Sequence, residues 1–311
     1  MNKEKVSIII PTYNRENSLL KSVKSVLDQS YKNIEIIVVD DASVDNSEKI
    51  IKKIKDKRIK YIKLTENKGA ANARNVGIKK STGEYIAFQD SDDVFKHSKI
   101  EVQLKNLKQN KSDLDFCKIC IHENENDILI PCENHINAIN DNKIIDELCN
   151  GNFISTQAII MKRDIALKFL FDATLPRFQD YDFILRMISS IKISYTDEVL
   201  VDLYRQENSI SNNRDKLRKA ISIMINKNYN LLDYQKKKLN NCFLFDYDRS
   251  LRLDMQDIEG KYNYYEIEYN KVKAENKNLK KINKELENKY FAIINSKRYK
   301  LLSKILKIFK R

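Results

Sequence analysis

Two aspartates one residue apart, Asp90-Ser91-Asp92, follow a short apolar run at residues 85–88, and Asp93 follows them at once. Paired carboxylates directly after a buried strand offer hard oxygen ligands suited to Mg²⁺ or Mn²⁺. Such ions typically take one or two protein carboxylates and complete their shell with phosphates and water. An ion held there would neutralise a diphosphate as it becomes a leaving group. The plainer alternative is that these acids cap a helix beginning near Lys96, with Asp93 best placed to do so. A second acidic pair, Asp40-Asp41, closes another apolar run at residues 34–39.

The elements that must position these groups alternate regularly. Residues 6–10, 34–39, 59–64 and 85–88 are short runs rich in β-branched and aromatic residues. Between them, residues 18–27, 45–54 and 70–80 carry apolar side chains at helical spacing. Strands that are apolar on both faces and separated by helices predict a parallel sheet covered on both sides, with right-handed crossovers. Ligands bind such sheets at the carboxyl ends of the strands. Four polar segments lie there: Pro11-Thr12-Tyr13-Asn14, Asp40-Asp41-Ala42-Ser43, Glu66-Asn67-Lys68-Gly69 and Asp90-Ser91-Asp92-Asp93. Beyond Val94 the alternation weakens. Helices are expected over 97–109, 144–148 and 181–189, strands over 115–121, 128–130, 153–161, 193–195 and 199–204, and helix throughout from about Lys216.

The ordered segments Val6-Ser-Ile-Ile-Ile-Pro-Thr-Tyr-Asn14, Val38-Val-Asp-Asp-Ala-Ser43, Asn67-Lys-Gly69, Ala73-Arg-Asn75 with Gly77, Gly83-Glu-Tyr-Ile86, Asp90-Ser-Asp-Asp93 and Gln179-Asp-Tyr-Asp182 resemble the family 2 glycosyltransferases. The resemblance covers roughly residues 5–210. It implies an α/β GT-A fold, a Rossmann-like and mostly parallel sheet flanked by helices, over 1–215, with a helical extension over 216–311. It also implies an inverting transfer of sugar from a nucleotide-diphosphate sugar to a glycan or lipid-linked hydroxyl. Pro11, Thr12 and Tyr13 would then line the nucleoside site, and Asp41 would accept from a uracil ring nitrogen, which suits a uridine donor. Arg74 would approach the base or phosphates, Asp90 and Ser91 the ribose or the metal shell, and Asp92 the metal directly, Mn²⁺ or Mg²⁺. Asp180 would be the base that deprotonates the acceptor hydroxyl. N-capping of the following helix is its structural alternative, and Asp182 is the weaker candidate. Two departures stand out. Gln179 replaces the usual Glu, and no His follows Tyr204-Arg-Gln-Glu-Asn-Ser-Ile-Ser211, where relatives carry a metal-binding one. Gln206, Glu207 or water would have to serve instead. These departures leave open a catalytically impaired scaffold of the same fold.

Composition narrows the classes. The chain holds 57 Lys+Arg and 44 Asp+Glu, a net +13. Residues 1–225 carry only +3 of this and 226–311 carry +10. A nucleic-acid surface on the half bearing the strand-end acids is therefore excluded. A dinucleotide oxidoreductase is excluded because GxGxxG does not follow the first strand. Five cysteines without a secretion signal read as reduced thiols of a cytoplasmic protein, Cys117 and Cys120 as buried structural residues rather than a zinc pair. His97, His122 and His135 stand far along the chain from Tyr204 and read as surface or structural. Over 265–293 a 4-3 apolar spacing fits either a coiled-coil homodimer or a helix folded back on the catalytic domain. Residues 296–311 form a basic amphipathic segment suited to the inner face of an anionic membrane or to a protein partner.

Overall fold

All seven residues of strand β1 (Val6–Thr12) are buried, so both of its faces are covered, as a central parallel strand requires. It lies between β2 (Ile34–Asp40) and β4 (Tyr85–Phe88), parallel to both, and β3 (Ile59–Lys63) extends the sheet beyond β2. Helices α1 (Leu19–Leu27), α2 (Ser47–Lys53) and α3 (Ala70–Lys80) are the crossovers between these strands. Helix α3 approaches β1 closely. A Cβ on Gly77 would lie 2.4 Å from Ile9 Cγ2, so only glycine allows that contact.

The computed structural model describes residues 4–123, 126–204 and 213–275, with 288–289, 291–292, 296 and 300–301; for 265–275 it gives the helix path alone. The Gln206/Glu207 segment, residues 276–287, 290 and 293 of the 265–293 seam, and nearly all of the 296–311 tail lie outside the described residues.

Beyond β4 the sheet becomes mixed, in the order β3-β2-β1-β4-β8-β6-β9-β5, with β7 on β6. The added strands are β5 (Val94–Phe95), β6 (Leu114–Glu123), β7 (Asn126–Ile130), β8 (Ile159–Lys162) and β9 (Ile193–Tyr204). The two strands expected over 193–204 form one, β9, and an irregular register against Cys117–Ile119 absorbs the polar interruption. The strand expected over 153–161 is confined to β8, because a 3₁₀ turn at Thr156–Ala158 precedes it. Helices α4 (Lys99–Gln109), α5 (Glu133–Asn140), α6 (Ile144–Leu148), α7 (Arg163–Phe169) and α8 (Gln179–Met187) connect these strands. Of these, α5 and α7 lie where no element was expected.

A buried carboxylate ties this second half together. Asp115 on β6 is fully buried and accepts from Ser194 and Thr196 of β9 and from Gln103 and Asn106 of α4, at 2.7–3.0 Å. With four donors converging on it, the desolvated group is satisfied.

Helices α9 (Arg214–Ile225) and α10 (Asp233–Glu275) follow, as the helical reading from Lys216 expected. The chain divides into two compact units, Met1–Cys242 and Phe243–Arg311, and every candidate site residue belongs to the first. Among the described residues no helix is long and apolar enough to cross a membrane.

Candidate active site

The carboxyl ends of β1, β2 and β4 lie side by side, and their loops are locked together by side chains. Asp41 N–H donates to Thr12 O at 2.9 Å, joining the ends of β1 and β2. Asn14 and Ala42 turn the chain there with positive φ, at 51° and 65°. The Asn14 N–H donates to Ser43 Oγ and the Val44 N–H to Asn14 Oδ1, so the two turns brace each other. Asp40 is fully buried. It accepts from Ser43 N–H and from the Tyr61 hydroxyl, holding its own turn rather than helix α2, whose N-cap is Asn46.

Asp41 accepts from the backbone N–H groups of Lys68 and Gly69, at 3.0 and 2.6 Å. It thereby fixes the turn into α3, whose N-cap Gly69 sits at φ +88°, a conformation that favours glycine. Each of its oxygens keeps a lone pair for a ligand donor. Pro11 and Thr12 are buried within β1, with Thr12 Oγ1 lacking a hydrogen-bond partner. Tyr13 is 44% exposed and offers an open aromatic face. Beside it, Asn14, Arg15, Glu16, Asn17, Ser18, Val44 and Asp45 line a cleft of about 500 Å³. Neither Asp41, Asp90 nor Asp180 lines this cleft. Arg15 connects it to the acids, with Nη2 lying 3.6 Å from Asp92 Oδ2.

At the end of β4, Gln89 is fully buried and donates to Ser22 Oγ at 3.1 Å and to Asp93 O at 2.6 Å. The Ser22 hydroxyl in turn donates to Asp90 O at 2.9 Å. This pair folds the Asp90–Asp93 loop into a tight turn, and motif reading passed over both residues. Asp93 does not cap a helix. It is buried, accepting from Gln157 Nε2 at 2.9 Å and Tyr204 N–H at 3.3 Å, while α4 starts at Lys99 behind Ser98. Burial, and then the charges of Asp90 and Asp92, push the Asp93 carboxyl well above the usual range. Asp92 is also pushed up, by burial and then by Asp90, with Arg15 opposing. Ser91 is buried beside them. These carboxylates offer hard oxygens of the kind that Mg²⁺ or Mn²⁺ takes, with Arg15 opposite Asp92 and Arg74 bonded to Asp90.

Arg74, on α3, reaches the same loop. Its Nη2 donates to Asp90 Oδ1 at 2.6 Å, its guanidinium lies 5.5 Å from the centre of the Phe171 ring, and its buried Nε has no hydrogen-bond partner. Its charge also bears on Asp180.

Asp180 lies in the first turn of α8. It does not cap the helix, because Phe178, with φ 62°, takes that place. Burial raises its pKa above the ordinary carboxylate value and Asp90 adds to this, while the Tyr181 N–H and Arg74 oppose. Its Oδ1 accepts from Tyr181 N–H and its Oδ2 from Asn152 Nδ2, both at 2.9 Å. Gln179 donates to Leu175 O at 2.8 Å, a bond an ionised Glu could not make. Asp182 is fully committed elsewhere. Completely buried, it accepts from Arg186, Lys227 and Tyr229.

His122, far from Tyr204 along the chain, is not far in space. The parallel pairing of β6 with β9 sets the two opposite each other, and their rings stack at 4.9 Å. The donor atoms of Cys120, His122 and Asp202 lie within 4.8 Å of one another. However, the two His122 ring nitrogens are engaged by Asp127 and Asp202, and Lys96 pairs with Asp202 at 2.6 Å. The cluster is a closed ion-pair network, and His122 remains structural. None of the five cysteines forms a disulfide, and Cys117 and Cys120 are buried as expected.

Known proteins bear directly on this arrangement. Residues 7–169 match the model of glycosyl transferase family 2. An uncharacterized glycosyltransferase of Haemophilus influenzae is 34% identical over 225 residues, 71% of this chain and 86% of that protein. A 108-residue stretch is 50% identical to the UDP-Glc:alpha-D-GlcNAc-diphosphoundecaprenol beta-1,3-glucosyltransferase WfaP of Escherichia coli, covering 35% of this chain and 43% of that one. Against an uncharacterized glycosyltransferase of Rickettsia bellii, 53% identical over 107 residues, the chain spans only 15% of the relative's length. The crystal structure of S. aureus TarS 1-349 in complex with UDP-GlcNAc superposes with a TM-score of 0.62 at 22% identity, covering 78% of this chain and 72% of that one, which shows a common fold. The sheet, the order of its strand-end motifs and the extent of these matches lead to one assignment: the chain belongs to glycosyl transferase family 2 and has the GT-A fold.

Proposed function

We propose that the protein transfers a sugar, with inversion, from a uridine-diphosphate sugar to a hydroxyl of a lipid-linked or glycan acceptor. The observation that carries this reading is the placement of Arg74, hydrogen-bonded to Asp90 at the end of β4 and near enough for its charge to bear on Asp180 in α8. Tyr13 stacks on the nucleobase and Asp41 accepts a hydrogen bond from its imide N–H. Asp92 and Asp90 would hold Mg²⁺ or Mn²⁺, which when bound would supply positive charge to the departing diphosphate. Asp180 takes the acceptor hydroxyl proton as the oxygen forms its bond to C1. The bond from C1 to the diphosphate oxygen breaks, and its electron pair leaves with the nucleoside diphosphate.

The names of two similar proteins support the donor and acceptor classes: WfaP is described as using UDP-Glc and a diphosphoundecaprenol-linked sugar, and TarS was crystallised with UDP-GlcNAc. An acceptor of that kind lies at a membrane, and the basic 296–311 segment would hold a cytoplasmic enzyme against its inner face. The 265–293 seam would pair two copies or fold back. The deciding experiment incubates the purified chain with a panel of UDP-sugars, Mn²⁺ or Mg²⁺, and diphosphoprenyl-linked acceptors. Acceptor-dependent UDP release with an elongated product is expected. Elongation with no sugar donor, or no difference between wild type and Asp180→Asn, would refute the reading.

A further inference from the structure

We infer that Asn152 is the positioning residue of the base, setting both the orientation and the proton affinity of Asp180. This rests on the proposed role of Asp180 and extends it to a residue outside every strand-end motif.

The side-chain amide of Asn152 is used at both ends. Its Nδ2 donates to Asp180 Oδ2 at 2.9 Å, and its Oδ1 accepts from the Ile154 N–H at 3.1 Å. The second bond decides which way round the amide sits, so the NH₂ group must face the carboxylate. The segment behind it is anchored. Ile154 is fully buried, and Phe153, 4% exposed, packs its ring against Phe116 and His135. Asn152 is therefore a donor held at a fixed place.

Asp180 needs such a donor. Its other oxygen accepts from the N–H of its own neighbour Tyr181, which alone leaves the outer half of the carboxylate free to turn. With Asn152 on Oδ2, each oxygen has one fixed donor and retains a lone pair for the acceptor proton. The bond also favours the ionised form, opposing the burial that raises the pKa of this group. A base that must be both desolvated and ionised near neutrality requires both influences.

Two substitutions test this in the full chain. Asn152→Asp keeps an oxygen for the Ile154 N–H, and hence the local fold, but replaces the donor with a second carboxylate. Asn152→Ala removes both bonds. The acidic limb of the kcat–pH profile should move up by about one unit in Asn152→Ala, the scale of one hydrogen bond to a charged group. It should move further in Asn152→Asp, where like charges face each other. At neutral pH kcat should fall about tenfold or more, while the Kd for UDP-sugar and Mn²⁺ stays within about twofold of wild type. Fold integrity is read from the thermal midpoint, which Asn152→Asp should preserve. Wild-type kcat and acidic limb in a folded Asn152→Asp, with Asp180→Asn inactive, would overturn the positioning role alone. Full activity in Asp180→Asn would overturn the base assignment and this inference with it.

Discussion

Arg74 and Asp90 are joined by a 2.6 Å bond from Nη2 to Oδ1, yet the Arg74 Nε, buried in the same site, has no partner. A buried N–H without an acceptor costs roughly 1–3 kcal/mol, and in the proposed function this N–H donates to an oxygen of the UDP-sugar. Lysine would keep the charge but lose the planar fork and this N–H. Arg74→Lys should therefore weaken UDP-sugar binding by about 10–100-fold, the scale of one charge-assisted bond. Titration of the donor by calorimetry checks it, and binding within twofold of wild type would count against a ligand contact at Nε.

The metal prediction follows from the crowding around Asp92, whose carboxyl is pushed up by burial and by Asp90. A cation bound there removes that repulsion, so Mn²⁺ should be held more tightly as pH rises through the raised pKa and the proton leaves. Asp92→Asn should lower metal-stimulated turnover by about a hundredfold or more, the scale of losing one strong electrostatic contact in a transition state. Mn²⁺ dependence of UDP release reads both effects. Equal stimulation of wild type and variant would place the ion elsewhere.

On the proposed mechanism, Asp180 sets the pH response of the chemical step. Because burial raises its pKa, it is still partly protonated where an ordinary carboxylate would be fully ionised. The base works only when deprotonated, so kcat should fall as pH drops through the raised value, above the usual carboxylate range of about 4. Asp180→Asn should lose about 10²–10⁴-fold in turnover and still bind donor. Single-turnover measurements at saturating donor and acceptor across pH would show the limb directly.

How much of this was readable beforehand depended on distance along the chain. The β1–β4 alternation and its strand-end acids are local signals, and Asp41, Asp90 and Asp92 do follow the carboxyl ends of β2 and β4. The supporting groups come from elsewhere. β5 is two residues long and exists only because Val94 and Phe95 pair with Asp202 and Val201 of β9. Gln157 reaches Asp93 from a 3₁₀ turn within a segment whose apolar pattern suggested strand. His122 meets Tyr204 through the register of β6 and β9, and Asn152 meets Asp180 across 28 positions. No periodicity carries such pairings. A signal did exist for Gln89, an amide set between a buried strand and a run of acids, because a polar side chain buried there must find partners.

The last sixteen residues carry seven basic side chains and no acid. At about 1 kcal/mol per basic residue near an anionic surface, the segment should bind vesicles containing phosphatidylglycerol and be released by salt. Flotation of the full chain and of a chain ending at residue 295 tests this. Equal recovery of the two proteins, or equal recovery on neutral and anionic vesicles, would leave the tail to a protein partner instead.

Stability should respond to acid at the opposite edge of the sheet from the active site. Glu35 is the second residue of β2, and its side chain is only 13% exposed. Burial works against its charge, but the Ser7 hydroxyl, the Thr82 N–H and hydroxyl and the Lys5 ammonium all donate to it, and together they pull its pKa down to about 2. A carboxylate held below its unfolded value of 4.5 stabilises the fold fully above that pH. The contribution is lost progressively as pH falls towards 2. The shift corresponds to about 3 kcal/mol at neutral pH. Glu35→Gln should therefore lower the urea unfolding free energy at pH 7 by up to about that much. Between pH 4.5 and 2 the loss of stability should be shallower in the variant, because one linked proton is gone. The site residues lie at the other ends of the same strands, so donor binding at neutral pH should stay at the wild-type level. A variant whose unfolding free energy followed the wild-type curve through that window would show that these four donors do not favour the charged form.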